Sequence, residues 1–245
     1  IKEARHGMFK AGLIPERLQL MDRTTRAWGS PATPAEDFAD IIKEVGEKYG
    51  VEMKVDLDKA DYLVTVAPAE LTEHTKALAD AAKILNKLGV SWTYHTEGFE
   101  ASNIGYLNGD TELQEKMTRR LIDTAVKIGA KTLVLPECGH AYGAARWEAA
   151  RWYGGDIPVR IIHMTEFLQE AVNSGKIKLN KVEATVSFHD PCQLVRRGGV
   201  TKAPRDVLAK LGVEMKELEN NGSLGWCCGG GGGVVSNVRA DPIRF

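Results

Sequence analysis

From Pro34 onward, apolar positions recur at two alternating periods. "PAEDFADIIKEVGEKYG" (34–50) has the spacing of an amphipathic helix, with Pro34 and two acids in its first turns. The short apolar strand Tyr62–Val66 follows, then a helix over 71–89 ended by Gly89, then the strand "VSWTYH" (90–95). A further helix starts at the N-cap Asp110, ends at Gly129 and leads into the strand "KTLVLPEC" (131–138). The series continues with strand 158–164, helix 165–175, strand 183–192, helix 202–212 and strand 213–218. The first thirty residues carry Gly and Pro punctuation with little periodicity and read as a connector.

Strands that alternate with helices and are themselves nearly continuous apolar runs predict an α/β fold with parallel sheets covered on both faces. Sites in such folds form at the carboxyl ends of strands, and Cys138 and Cys192 both fall just past one. The chain also resembles itself: "ILNKLGV" (84–90) matches "VLAKLGV" (207–213). Extended backwards, the match sets Ala69 on Cys192; extended forwards, it sets "NIG" (103–105) on "CCG" (227–229). The expected architecture is therefore two pseudo-repeated Rossmann-like units. Residues 1–33 connect to a region before the chain, 34–155 form a first unit with most thiols lost, and 156–245 form a second. The Ile start and an uncapped final helix suggest a fragment of a longer protein, with more cysteines expected shortly after Phe245.

Composition removes several function classes. Hydrophobic content of 43% and charged content of 27% are those of an ordinary globular domain. A net charge of -1 gives no concentrated basic surface for nucleic acid. No apolar run approaches the roughly 20 residues of a membrane span, and "IKEARHGMFK" has no apolar signal-peptide core. Four cysteines are too few for a disulfide-stapled secreted domain, so a cytoplasmic location is expected.

The remaining chemistry lies in "GWCCGGGGGVV" (225–235). A vicinal disulfide between Cys227 and Cys228 would close a strained, labile ring. Thiolate ligation of a metal or cluster accounts for both cysteines, and the glycines let backbone N–H groups approach negatively charged sulfur. Zinc is a weaker alternative because no CxxC knuckle is present. A phosphate loop is weaker still, since neither GxGxxG before a helix nor GK[ST] occurs.

"FHDPC" (188–192) followed by "CCGGGGG" (227–233) resembles the cysteine-rich CCG domain of heterodisulfide-reductase-type iron–sulfur proteins, most of all the D-type heterodisulfide reductase and DsrK branch. The resemblance covers roughly residues 10 to 245. It implies a CCG-domain architecture and one [4Fe-4S] cluster, of the noncubane type held by paired CCG domains. It also implies that Cys138, Cys192, Cys227 and Cys228 are metal ligands, with Gly229 and Gly230 at the cofactor. A second cysteine of the first motif would stand at Ala141, and is absent. Members of this branch usually carry an N-terminal ferredoxin-like region with two ordinary [4Fe-4S] clusters, and the Ile start fits its removal or omission before residue 1.

The chemistry so implied is electron transfer to or from a disulfide or persulfide, with Cys227 and Cys228 anchoring the cluster. His189 is the candidate proton donor, followed by His140. Arg196 and Arg197 could attract an acidic partner, and Trp226 is expected to pack so as to keep water from the cluster. Expected partners are other redox subunits (ferredoxin-like, flavoprotein or membrane cytochrome) and a disulfide-bearing small molecule or small protein. Any membrane association would be made through those subunits. The rival reading is an electron-relay subunit of the glycolate or lactate oxidation type, without substrate chemistry of its own.

Overall fold

The computed structural model describes residues 2–136, 139–231, 233–234 and 237–244. Four parallel strands, β1 (Tyr62–Val64), β2 (Trp92–Thr93), β3 (Thr132–Leu135) and β4 (Arg160–His163), form one sheet in the order β2-β1-β3-β4. A second sheet pairs β5 (Thr185–Val186) with β6 (Glu214–Met215), also parallel. The protein is thus α/β with parallel sheets, as the alternating pattern predicts.

Successive residues of each strand feed different cores, because side chains alternate across a sheet. Leu63, Leu133, Leu135 and Ile161 pack with the helix Thr111–Lys127. Val64, Val134 and Ile162 face the other way, into a core with Phe38, Ile42, Leu78 and Leu85. Central strand β3 is buried at all four positions, which explains its unbroken apolar run. The second half docks onto the first core through Leu194, Val200 and Ala203, packed with Tyr142.

Three expectations need correction. The first thirty residues are not without structure: they form helices α1 (Lys2–Lys10) and α2 (Glu16–Trp28). Their docking is largely polar, so the hydrophobic period is silent. Asn108 donates to Asp22 at 2.7 Å, Arg26 pairs with Asp22 at 2.8 Å and with Asp110, and His6 Nδ1 lies 2.9 Å from the Gly109 carbonyl. The strand expected to open the second unit, β4, instead pairs with β3 at Leu133↔Ile161 and Val134↔Ile162. The four-stranded sheet therefore runs across the boundary expected at residues 155/156. The helix expected over 71–89 is split into Pro68–Thr72 and Thr75–Leu88, the first started by Pro68 and by Glu70 accepting from the Ala67 amide at 2.7 Å.

A short helix, Ile104–Asn108, packs closely on the helix that begins at Thr111. A β-carbon at Gly105 would stand 2.1 Å from the Gln114 amide nitrogen and 2.6 Å from the Asp110 carbonyl oxygen, both backbone atoms that cannot rotate away. Gly105→Ala should therefore cost about 3 kcal/mol, as an overpacked site does, read from the urea denaturation midpoint. A midpoint equal to wild type would show that the two helices separate freely.

Candidate functional site

The parallel pairing of β5 and β6 brings the chain that leaves both strands to the same end of the sheet. After β5 the chain reaches Asp190, then Cys192 at the head of a π-type turn, Gln193–Arg197. After β6 it passes the 3₁₀ turn Gly222–Leu224 and arrives at Cys227 and Cys228. Cys138 follows β3 in sequence but lies outside the described residues.

Asp190 ties these segments together. Its side chain is fully buried and receives two hydrogen bonds from Arg205, Nη1 to Oδ1 and Nη2 to Oδ2, each 2.8 Å. It also accepts from the Gly222 amide. The Arg205 guanidinium, and then the Gly222 N–H, hold the Asp190 carboxyl below the usual carboxylate range despite its burial. Arg205, on the helix Lys202–Leu211, turns its Nε to Glu217 at 2.6 Å just after β6. One carboxylate and one guanidinium thus join the Cys192 turn, a helix and both ends of the run into Cys227.

Cys227 and Cys228 are exposed, and Cys192 is half-buried. The Gly229 amide donates to Cys227 Sγ and the Gly230 amide to Cys228 Sγ, each at 3.4 Å. Gly229 is at φ 72°, a left-handed conformation that a β-carbon would strain. Burial, and then the facing thiols Cys227 and Cys228, push the Cys192 thiol up. Cys192 and the Cys227–Cys228 pair both follow strands of the β5–β6 sheet at its same end. Among the described residues no three Cys, His, Asp or Glu side chains are close enough to hold a single metal ion.

The first half forms the opposite wall. His140, in the short helix Gly139–Gly143, has its Cε1 3.9 Å from where a β-carbon of Gly231 would stand. Burial, and then Arg5, push its pKa down to about 4, so its ring is neutral at pH 7. The Tyr106 ring lies 6.0 Å from that of His140, and the Arg197 guanidinium sits 5.4 Å from the Tyr106 centroid. Arg197 also pairs with Glu148 at 3.7 Å. Arg196 and His189 are exposed.

Trp226 corrects an expectation. It is 73% exposed, next to Leu224 at 71%, and shields nothing. Its neighbour Gly225 is the buried residue, so the backbone tucks inward there and the indole is left outside. Ala141 is buried in the core. Asn103, set opposite Cys227 by the internal match, is buried at φ 50°. It caps its helix by accepting from Tyr106 N at 3.0 Å and donates to Thr118 Oγ1 at 3.0 Å. Where the second half presents thiols, the first has a hydrogen-bonded core amide.

Residues 186–242 match the family described as CCG, a cysteine-rich domain. The chain is related over most of its length to the D-type subunits of heterodisulfide reductases. It is 32% identical to the D-type subunit of dihydromethanophenazine:CoB–CoM heterodisulfide reductase from Methanosarcina barkeri, over 86% of this chain and 48% of that one. The Methanosarcina acetivorans protein of the same name is 33% identical, over 94% of this chain and 54% of that one. The EtfAB:quinone oxidoreductase of Syntrophomonas wolfei is 32% identical over 66% of this chain and 23% of its own. The chain spans about half the length of the heterodisulfide reductase relatives it matches. No solved structure matches it significantly.

Sequence reasoning missed Asp190 and Tyr106. The acid directly before Pro191 and Cys192 was a usable signal for the first; nothing in the local sequence marks the second. Asp190→Ala leaves Arg205 with Glu217 and the Thr201 carbonyl, and the Gly222 amide without its carboxylate acceptor. We expect a loss of about 3 kcal/mol, the lower end for breaking a buried ion pair, in urea denaturation monitored by circular dichroism. A change under about 0.5 kcal/mol, the size of an ordinary surface substitution, would mean the clamp is not holding these segments.

Proposed function

We propose that this chain is the CCG portion of an iron–sulfur oxidoreductase subunit. In this reading Cys192, Cys227, Cys228 and Cys138 hold one [4Fe-4S] cluster, of the noncubane type. The observation that carries it is the pair of backbone amides aimed at Cys227 and Cys228, at the sheet end that also leads to Cys192. Amides directed at sulfur favour the thiolate form that iron requires. Such a cluster, when bound, supplies electrons singly at a sulfur-rich surface.

The chain's own residues then have distinct tasks. Cys227 and Cys228 anchor the cluster, and Gly229 and Gly230 supply N–H groups to their sulfurs. The Asp190–Arg205 pair fixes the spacing between the Cys192 turn and the Cys227 loop. His189, exposed and next to Asp190 in sequence, is the proposed proton donor to a departing thiolate. His140 is neutral and buried and serves as a wall. The exposed Trp226 and Leu224 beside the cysteine pair support the approach of a reactant to this loop, and with it electron transfer to or from a disulfide or persulfide. The names of the heterodisulfide reductase relatives support the same chemistry, with other redox subunits as partners.

A second reading, an electron relay without substrate chemistry, is favoured by the quinone oxidoreductase relative. No helix among the described residues is long and apolar enough to cross a membrane. Iron and acid-labile sulfide, measured on protein purified without oxygen, test the shared part. Both should be present in wild type and fall to background in Cys192→Ser, Cys227→Ser and Cys228→Ser. Iron-free wild-type protein would end both readings. A paramagnetic signal that grows on oxidation with a thiol present supports disulfide chemistry, and signals confined to the reduced protein support the relay.

A further inference from the structure

Tyr106 is contributed by the first unit, where Asn103 and Ile104 stand opposite the Cys227–Cys228 pair, yet it neighbours the turn that follows Cys192. The residue is 6% exposed, and its hydroxyl is fully buried with no hydrogen-bond partner among the described residues. A buried donor left unmade costs free energy, so such a hydroxyl needs an acceptor.

Three measurements locate that hydroxyl. It is 3.5 Å from the β-carbon position of Gly143, on the helix that follows Cys138. The Gln193 Oε1, next to Cys192 in sequence, is also buried without a partner and lies 3.5 Å from the same point. The ring neighbours His140, which reaches the glycine loop after Cys228, and Arg197, at the end of the Cys192 turn. The segments following Cys138 and Cys192 therefore border the Tyr106 side chain directly, and the loop after Cys228 borders its neighbour His140.

Building on the cluster reading above, we propose that Tyr106 is a positioning residue for the bound iron–sulfur group. Its hydroxyl donates a hydrogen bond to a sulfur held at the Cys192, Cys227 and Cys228 site. The first unit thus contributes a hydrogen-bond donor in place of the ligands it lacks. A hydrogen bond to sulfur stabilises the more negative, reduced state and so raises the reduction potential. It complements the amides of Gly229 and Gly230, which donate to the Cys227 and Cys228 sulfurs.

The test is Tyr106→Phe, which keeps the ring contacts with His140 and Arg197 and removes only the hydroxyl. In metal-free protein the substitution should leave the unfolding midpoint equal or higher, because the hydroxyl has no protein partner to lose. In anaerobically purified, iron-loaded protein, iron and sulfide content should match wild type. The midpoint potential, by EPR-monitored redox titration, should fall by more than the scatter between repeat titrations. An unchanged potential in loaded protein would overturn the inference while leaving the cluster reading intact. A lowered unfolding midpoint in the metal-free variant would overturn it too, by giving the hydroxyl a role in the fold. Wild-type protein without iron would overturn the cluster reading, and this inference with it.

Discussion

A carboxylate taken fully out of water is tolerable only when charge and hydrogen bonds replace its hydration. Asp190 meets that condition with the paired nitrogens of Arg205 and the Gly222 amide. Bidentate, charge-assisted bonds fix geometry as well as energy. Here the geometry fixed is that of two loops, one carrying Cys192 and the other Cys227 and Cys228. Neither loop has regular structure through its cysteines beyond short turns, and the sheet beneath them is only two short strands. The clamp supplies the order that so small a sheet cannot, and the thiols inherit their mutual placement from it.

Much of this was readable from the residues. Helix ends at Gly89 and Gly212 are marked because a left-handed cap excludes most side chains. Parallel strands are marked because double burial demands unbroken apolar runs, as in β3. The cysteine pair and glycine run were legible because few structural needs produce them. Helix α2 was not legible, since its docking rests on Asp22, Arg26 and Asn108, polar residues that read as solvated in a linear sequence. The outward turn of Trp226 was missed for a different reason. Large aromatics usually bury, but a loop that exposes both adjacent cysteines leaves no surface for the ring to cover.

The internal match between residues 84–90 and 207–213 gains meaning from what each half does at the corresponding strand ends. In the first, Asn103 is locked by Tyr106 N and Thr118, and Ile104 is fully buried. That region is closed by hydrogen bonds and packing, and has no donor to offer a metal. In the second, Cys227 and Cys228 are held at the surface by a backbone that glycine keeps free of side chains. One half is therefore a folded support, and the other carries the reactive thiols.

The electrostatics of the wall between them follow from burial. Thiolates need compensation, and positive side chains brought close would themselves have to be desolvated. The site instead places uncharged donors nearest the sulfur, the amides of Gly229 and Gly230, and keeps charge one layer back. Arg205 is committed to Asp190 and Glu217, and Arg197 is turned to Glu148 and the Tyr106 ring. His140, neutral because it is buried, adds bulk without charge. Neutral dipoles fixed by the fold stabilise negative sulfur without the penalty of burying a cation.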